Sequence, residues 1–189
     1  MTTTIVNRHE RTLPAGSEVL APSLDGLGSS TDRLWPHRDW PAIEFEGAIG
    51  IGVEGRHGPI HYRLTEYEPG RLLHFTFLPS LTLEPRGHHR FELHPVSAAR
   101  SLLRHELQLV DPSPGVVLMW HLVIEPLHDA LIEDLLDNAV GLTSDRAAGS
   151  RDTSGTAPAS VGSGVCRTGW SRRVRLMRPV ALPLLASLG

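Results

Sequence analysis

From Ile60 to Val110 the chain runs through four segments of alternating apolar and polar residues, separated by short turn sequences with no helical stretch between them. At Ser113 the pattern changes to a helical period that continues to about Leu142. Strands joined by short turns pair antiparallel, and one long amphipathic helix placed after them has to cover the apolar face that they share. The chain is therefore expected to be an α+β protein, with a curved antiparallel β-sheet wrapped around a long C-terminal α-helix.

The individual runs are Ile60 to Tyr67, Leu72 to Phe77, His88 to Leu93 and Leu102 to Leu109, with Glu68-Pro69-Gly70 as a tight turn and Pro95 to Ser101 as a longer connection. Ile5 to Leu13 reads as a preceding strand that ends at Pro14-Ala15-Gly16. Ser17 is a reasonable N-cap for helix beyond it, which Pro22, Gly26 and Gly28 cut to two short pieces. Thr31 to Pro41, dense in aromatic residues and proline, reads as a helical turn and loop. Ser113 and Pro114 suit the N-cap and first position of the long helix. Its stripe of Ile124, Leu127, Leu131, Leu135 and Ala139 is expected to be buried, its stripe of Glu125, Asp129, Glu133 and Asp137 to be solvated, and Pro126 to kink it. The apolar run Val116 to Ile124 is too short to span a membrane.

Composition changes after Leu142. Residues 143–189 begin with a Ser, Thr, Gly and Ala linker and end in a basic, apolar segment, so the expectation is a folded unit at 1–142 and a disordered tail at 143–189. Arg172, Arg173, Arg175 and Arg178, interleaved with Trp170, Val174, Leu176 and Met177, make membrane contact by the tail conceivable, with weak docking as the simpler reading. The net charge of −3 gives no reason to expect nucleic acid as a partner. The single cysteine, Cys166, excludes an intrachain disulfide, and with no apolar leader at the start the expected compartment is the cytoplasm. All 18 basic residues are Arg, which excludes lysine chemistry.

Asn7-Arg-His-Glu-Arg11, Asp32-Arg-Leu-Trp-Pro36, Gly58-Pro59, Glu66-Tyr-Glu-Pro-Gly70, His88-His-Arg-Phe-Glu92, Leu103-Arg-His-Glu106 and Pro126-Leu-His-Asp-Ala-Leu131 follow one another in an order that resembles the SRPBCC superfamily, its bacterial members in particular. That superfamily includes START lipid-transfer domains, birch-pollen-allergen-like proteins and polyketide cyclase/dehydrase-like proteins. The resemblance spans roughly residues 3–142 and implies a helix-grip fold with a cavity for lipid-like, polyketide-like or other apolar molecules. It implies no particular reaction.

Alternation places His89 with Phe91 and Leu93, and His105 with Leu103, Leu107 and Leu109, so both imidazoles should face the concave side. There they can hydrogen-bond a ligand or act as general acid or base, against the plainer reading of satisfied core histidines. Trp35, Tyr62, Phe75, Phe77 and Phe91 complete the expected ligand-binding set. Arg33, Arg38 and Trp40 are candidates, with Trp35, for a lid, or for ordinary loop packing. His57 with His61, and His88 with His89 and His94, lack the convergence a metal needs, so no metal or other cofactor is expected. Nucleophile and phosphate-loop motifs are absent, and the glycines of residues 47–55 precede no helix. The leading expectation is a binding protein for a small hydrophobic molecule. A cyclase, aromatase or dehydrase using His105 or His89 is the alternative, and the pattern leaves oligomeric state open.

Overall fold

The computed structural model describes residues 3–79 and 85–149, with Val174 and Pro179. Seven strands, β1 (Thr4–Leu13), β2 (Glu44–Phe45), β3 (Glu54–His57), β4 (Ile60–Glu68), β5 (Leu72–Leu78), β6 (Gly87–Ser97) and β7 (Arg100–Val110), form one antiparallel sheet. The order across it is β1-β7-β6-β5-β4-β3-β2. Only the placement of β1 beside β7 departs from a simple meander, and it brings the first strand to one edge. Register shifts between Leu64 and Glu66 and between Pro95 and Ser97 add local twist where the sheet curls. The β6–β7 connection is tighter than the sequence suggests, because pairing continues to Ser97 and Arg100.

Helical elements accompany the sheet. α1 (Ser17–Asp25) buries Leu20 and Leu24, and Gly16 rather than Ser17 is its N-cap. Pro22 sits inside α1 without dividing it, and the amide of Gly26 closes the helix end on the Pro22 carbonyl. The second short helix expected near the N-terminus is replaced by turns at residues 26–31 and 37–40 among the described residues. Positive φ at Gly28 and the prolines at 36 and 41 leave too few consecutive helical positions.

α2 (Pro114–Met119) starts as expected, with the Ser113 hydroxyl accepting from the Val116 amide at 3.4 Å. One π-helical turn, Trp120–Ile124, joins it to α3 (Glu125–Gly149). Pro126 has no N–H for the Leu122 carbonyl and its ring crowds that oxygen. The irregularity expected at the proline is thus taken up by the wider turn just before it, where the Glu125 amide bonds the Trp120 carbonyl. Pro114–Ser144 is helical throughout and, unlike the Val116 to Ile124 run alone, is long and apolar enough to cross a membrane by length and composition. Leu127, Leu131, Leu135 and Ala139 are nevertheless packed into the core.

The helix passes the expected boundary at Leu142 and ends at Gly149. Thr143 is fully buried, its hydroxyl donating to the Ala139 carbonyl at 2.9 Å, which removes the polar reason for the helix to stop there. Val174 is also buried with the core cluster. Residues 150–173, 175–178 and 180–189 of the expected tail lie outside the described residues.

The acidic stripe of α3 is solvent-accessible as expected, with Glu133 and Asp137 exposed, and it also forms a seam with β1. β1 turns Asn7, His9 and Arg11 toward the helix, and Asp129 accepts from Asn7 at 2.8 Å. Glu133 and Asp137 receive Arg11 at 2.5 and 2.8 Å. Polar alternation in an edge strand can thus match an acidic helix face that periodicity alone assigns to water. On the outer sheet face Arg8 pairs with Glu106.

The aromatic segment before β2 is pinned by Asp32, which accepts from the amides of Gly28, Leu34 and Trp35 at 2.7 to 3.1 Å. Trp40 then donates its indole N–H to buried Asp134 of α3 at 2.8 Å. Trp40→Phe should destabilise the fold by about 1–3 kcal/mol, since it removes a partner of a buried carboxylate while keeping most of the apolar area. Urea denaturation at pH 7 checks it, and an unchanged midpoint would show that the bond contributes nothing net.

Candidate functional site

The concave sheet face and the α2–α3 segment enclose a cavity of about 590 Å³. Its walls follow from strand alternation. Phe77 of β5, His89 and Phe91 of β6, and His105, Leu107 and Leu109 of β7 point inward, and the pairing of Phe91 opposite His105 and of His89 opposite Leu107 sets them side by side. The helical side supplies Trp120, Ile124 and His128 at four-residue spacing, then Leu131 and Ile132. Exposed Arg86, Asp111 and Ser113 mark the open end, where β7 leads into α2.

Of the residues expected to bind ligand, Trp35, Phe77, His89, Phe91 and His105 line this cavity. Tyr62 and Phe75 do not, being fully buried behind it, with the Tyr62 ring 4.8 Å and the Phe75 ring 4.8 Å from His89. Of the lid candidates only Trp35 reaches the cavity, its indole N–H fixed to the Pro41 carbonyl at 2.8 Å. Arg33 and Arg38 are exposed, and Trp40 is committed to Asp134.

The unexpected feature is a row of imidazoles. His57, at the β3–β4 turn, and His128, on α3, join His89 and His105, with ring centroids 6.5 Å apart from His57 to His89, 5.9 Å on to His105 and 5.1 Å on to His128. Each carries a buried ring nitrogen with no hydrogen-bond partner among the described residues, as does the Trp120 indole. Burial lowers all four: His57 to about 4, His128 to about 3, and His89 and His105 well below the usual imidazole value. They are neutral at pH 7. Neutral rings with unused nitrogens in an apolar wall can hydrogen-bond a ligand hydroxyl or carbonyl, or exchange a proton with it.

The histidine groupings weighed on spacing do not converge. His88 turns to the outer face near Glu106, and His94 lies near Glu92. Among the described residues a different set, His9, His128 and Asp129, has potential ligand atoms all within 4.8 Å of one another. His57 escaped the sequence reading because a turn decides its direction. His128 follows the cavity residues Trp120 and Ile124 across the π-helical turn, which a regular helical period does not anticipate.

No protein-family model and no curated protein matches the chain. Solved structures do. Norcoclaurine synthase from Thalictrum flavum, a point mutant with a transition-state analogue, superposes with a TM-score of 0.59 at 16% identity, over 78% of this chain and 98% of that one. A Thermobifida fusca protein solved in solution gives 0.54 at 16% identity, over 71% and 90%. Ara h 8.0201 gives 0.51 at 14% identity, over 76% and 99%. At these identities the likeness is one of fold. The curved antiparallel sheet gripping a long C-terminal helix is the helix-grip fold that the sequence resemblance implied.

Proposed function

We propose that this helix-grip chain binds one small hydrophobic molecule, lipid-like or polyketide-like, in the cavity beneath α3, and does so in the cytoplasm. The observation that carries the reading is the cavity itself: about 590 Å³, within the range of roughly 300–1,000 Å³ common for ligand pockets, with mostly apolar walls and a few unpartnered polar atoms. Phe77, Phe91, Leu107, Trp120 and Ile132 supply apolar contact, while His89 and His105 give a ligand oxygen a fixed orientation. Norcoclaurine synthase from Thalictrum flavum, similar to this chain in fold, has been solved in complex with dopamine and hydroxybenzaldehyde, which supports a small-molecule reading.

An enzyme of the cyclase, aromatase or dehydrase kind is the second reading, favoured by the neutral state of His89 and His105. A neutral imidazole beside a bound carbonyl can take a proton from carbon and, as the imidazolium so formed, return it to oxygen. Turnover of a polyketide-like substrate, lost in His105→Leu, separates it from simple carriage.

The test is titration with 1-anilinonaphthalene-8-sulfonate, followed by competition with long-chain fatty acids and aromatic polyketides. One saturable site and full displacement are expected, with a change in tryptophan fluorescence because Trp35 and Trp120 line the cavity. A folded protein that binds none of these saturably would end the ligand reading.

A further inference from the structure

We propose that His9, His128 and Asp129 bind a divalent transition-metal ion, zinc or a close chemical relative, at the seam of β1 and α3 in the cavity wall. His128 and Asp129 are consecutive on the helix, so their side chains diverge by about a quarter turn. His128 faces the cavity and Asp129 faces β1, where His9 meets it with Nε2 3.0 Å from Oδ1. The potential ligand atoms of the three lie within 4.8 Å of one another. Zinc bonds to nitrogen and oxygen are about 2.0–2.1 Å long, so closing the triangle requires rotamer-scale movement and no change of backbone.

Two further observations point the same way. Nδ1 of His128 is buried with no partner among the described residues, an unused lone pair or proton beside the triangle. The groups around the triangle also match an outer shell. Glu133 Oε1 lies 2.7 Å from His9 Nδ1, the carboxylate contact that orients a metal-bound imidazole, and Asn7 holds Asp129 at 2.8 Å. An ion arriving between Nε2 and Oδ1 would displace the proton that those two atoms share, which leaves to solvent.

Two imidazoles and one carboxylate leave a fourth position for water or a ligand atom, the donor set of reactive rather than purely structural zinc sites. Of the three, His128 lines the cavity, 5.1 Å from the His105 ring, so a fourth position turned to that side would let the ion polarise an oxygen bound there. The site rests on its own residues and stands whether or not the cavity takes an organic ligand.

Full-length, tag-free protein is titrated with Co²⁺ while visible absorption is followed, then with Zn²⁺ against a chromophoric chelator. One equivalent of Co²⁺ with the intense bands of four-coordination, displaced by one equivalent of Zn²⁺, is the expected result. His128→Gln leaves the His9–Asp129–Glu133 contacts in place and should weaken Zn²⁺ by more than about 100-fold. Glu133→Gln should weaken it by about 10–100-fold, as outer-shell changes do, and His37→Gln, whose ring faces Asp32 away from the cavity, should leave it unchanged. Asp129→Asn reads the same loss should His128→Gln fail to fold, with thermal melts deciding which variants are intact. Folded wild type that binds no stoichiometric metal overturns the site, as does binding that survives both His128→Gln and Asp129→Asn. Dye titration of the same samples keeps a failure here distinct from a failure of the ligand reading.

Discussion

Between pH 7 and pH 4.5 the melting temperature should fall by at least about 10 °C, because folding forces four imidazoles to remain neutral where the unfolded chain would protonate them. Desolvation lowers His57, His89, His105 and His128 in the folded state. At acid pH the unfolded chain therefore binds more protons. Stability is complete above about pH 7, declines as pH drops below the ordinary imidazole value near 6.5, and goes on declining toward the folded values. For His57, at about 4, the full loss corresponds to about 3 kcal/mol. The penalty is softer for His57 and His128, which as residues are only partly buried. His89 and His105, only 4% and 2% exposed, carry the larger part. His9 works in the opposite sense. Its pKa is raised, chiefly by the Asp129 hydrogen bond, so its contribution is present below pH 6.5 and lost as pH rises through the folded value. One group opposes five, because burial lowers the partly buried His74 as well. Burial pushes Asp129 up, but hydrogen bonds from His9 and Asn7 outweigh it and hold its pKa below the usual carboxylate value, so its loss begins beneath this window. Melts at half-unit pH steps decide the matter, and His89→Leu/His105→Leu should flatten the profile. A wild-type melting temperature constant from pH 7 to 5 would mean that the rings take up protons without penalty.

The sheet was legible because its inward residues alternate strictly. Phe75 and Phe77, His89 and Phe91, and Leu103, His105, Leu107 and Leu109 all share the face that period two assigns to them. The helix was legible on its apolar side for the same kind of reason, with Leu127, Leu131, Leu135 and Ala139 in the core. What escaped depends on which elements meet. The edge position of β1 is set by its pairing with β7, roughly a hundred residues away, and until that pairing is known Asp129, Glu133 and Asp137 have no visible partners. His128 stands beside the buried stripe of α3, and only the π-helical turn and the opposing sheet decide that it faces a cavity instead of solvent. Tyr62 and Phe75 were assigned the right face but the wrong depth, since alternation gives the side of a sheet and says nothing about how far the helix stands off from it.

His105→Leu should leave stability at pH 7 unchanged or raise it, while weakening dye and ligand binding at least about tenfold. The ring is 2% exposed, and its Nδ1 finds no hydrogen-bond partner among the described residues, so no backbone group is stranded when the imidazole is removed. Relieving an unsatisfied buried polar group returns about 1–3 kcal/mol. Against that stands the ring contact with Phe91 at 4.6 Å, worth about 0.5–1.5 kcal/mol, which leucine replaces only in part. The first effect is the larger, so net destabilisation is not expected. A ligand oxygen, by contrast, loses its hydrogen bond, and the leucine side chain offers none in its place. His105→Gln keeps donor and acceptor groups on a flexible chain and should recover part of the affinity without the stability gain. Urea unfolding and dye titration of both variants at pH 7 read the two effects separately. Destabilisation of His105→Leu by about 1–3 kcal/mol with binding unchanged would make His105 a structural residue and remove it from both the carrier and the catalytic readings.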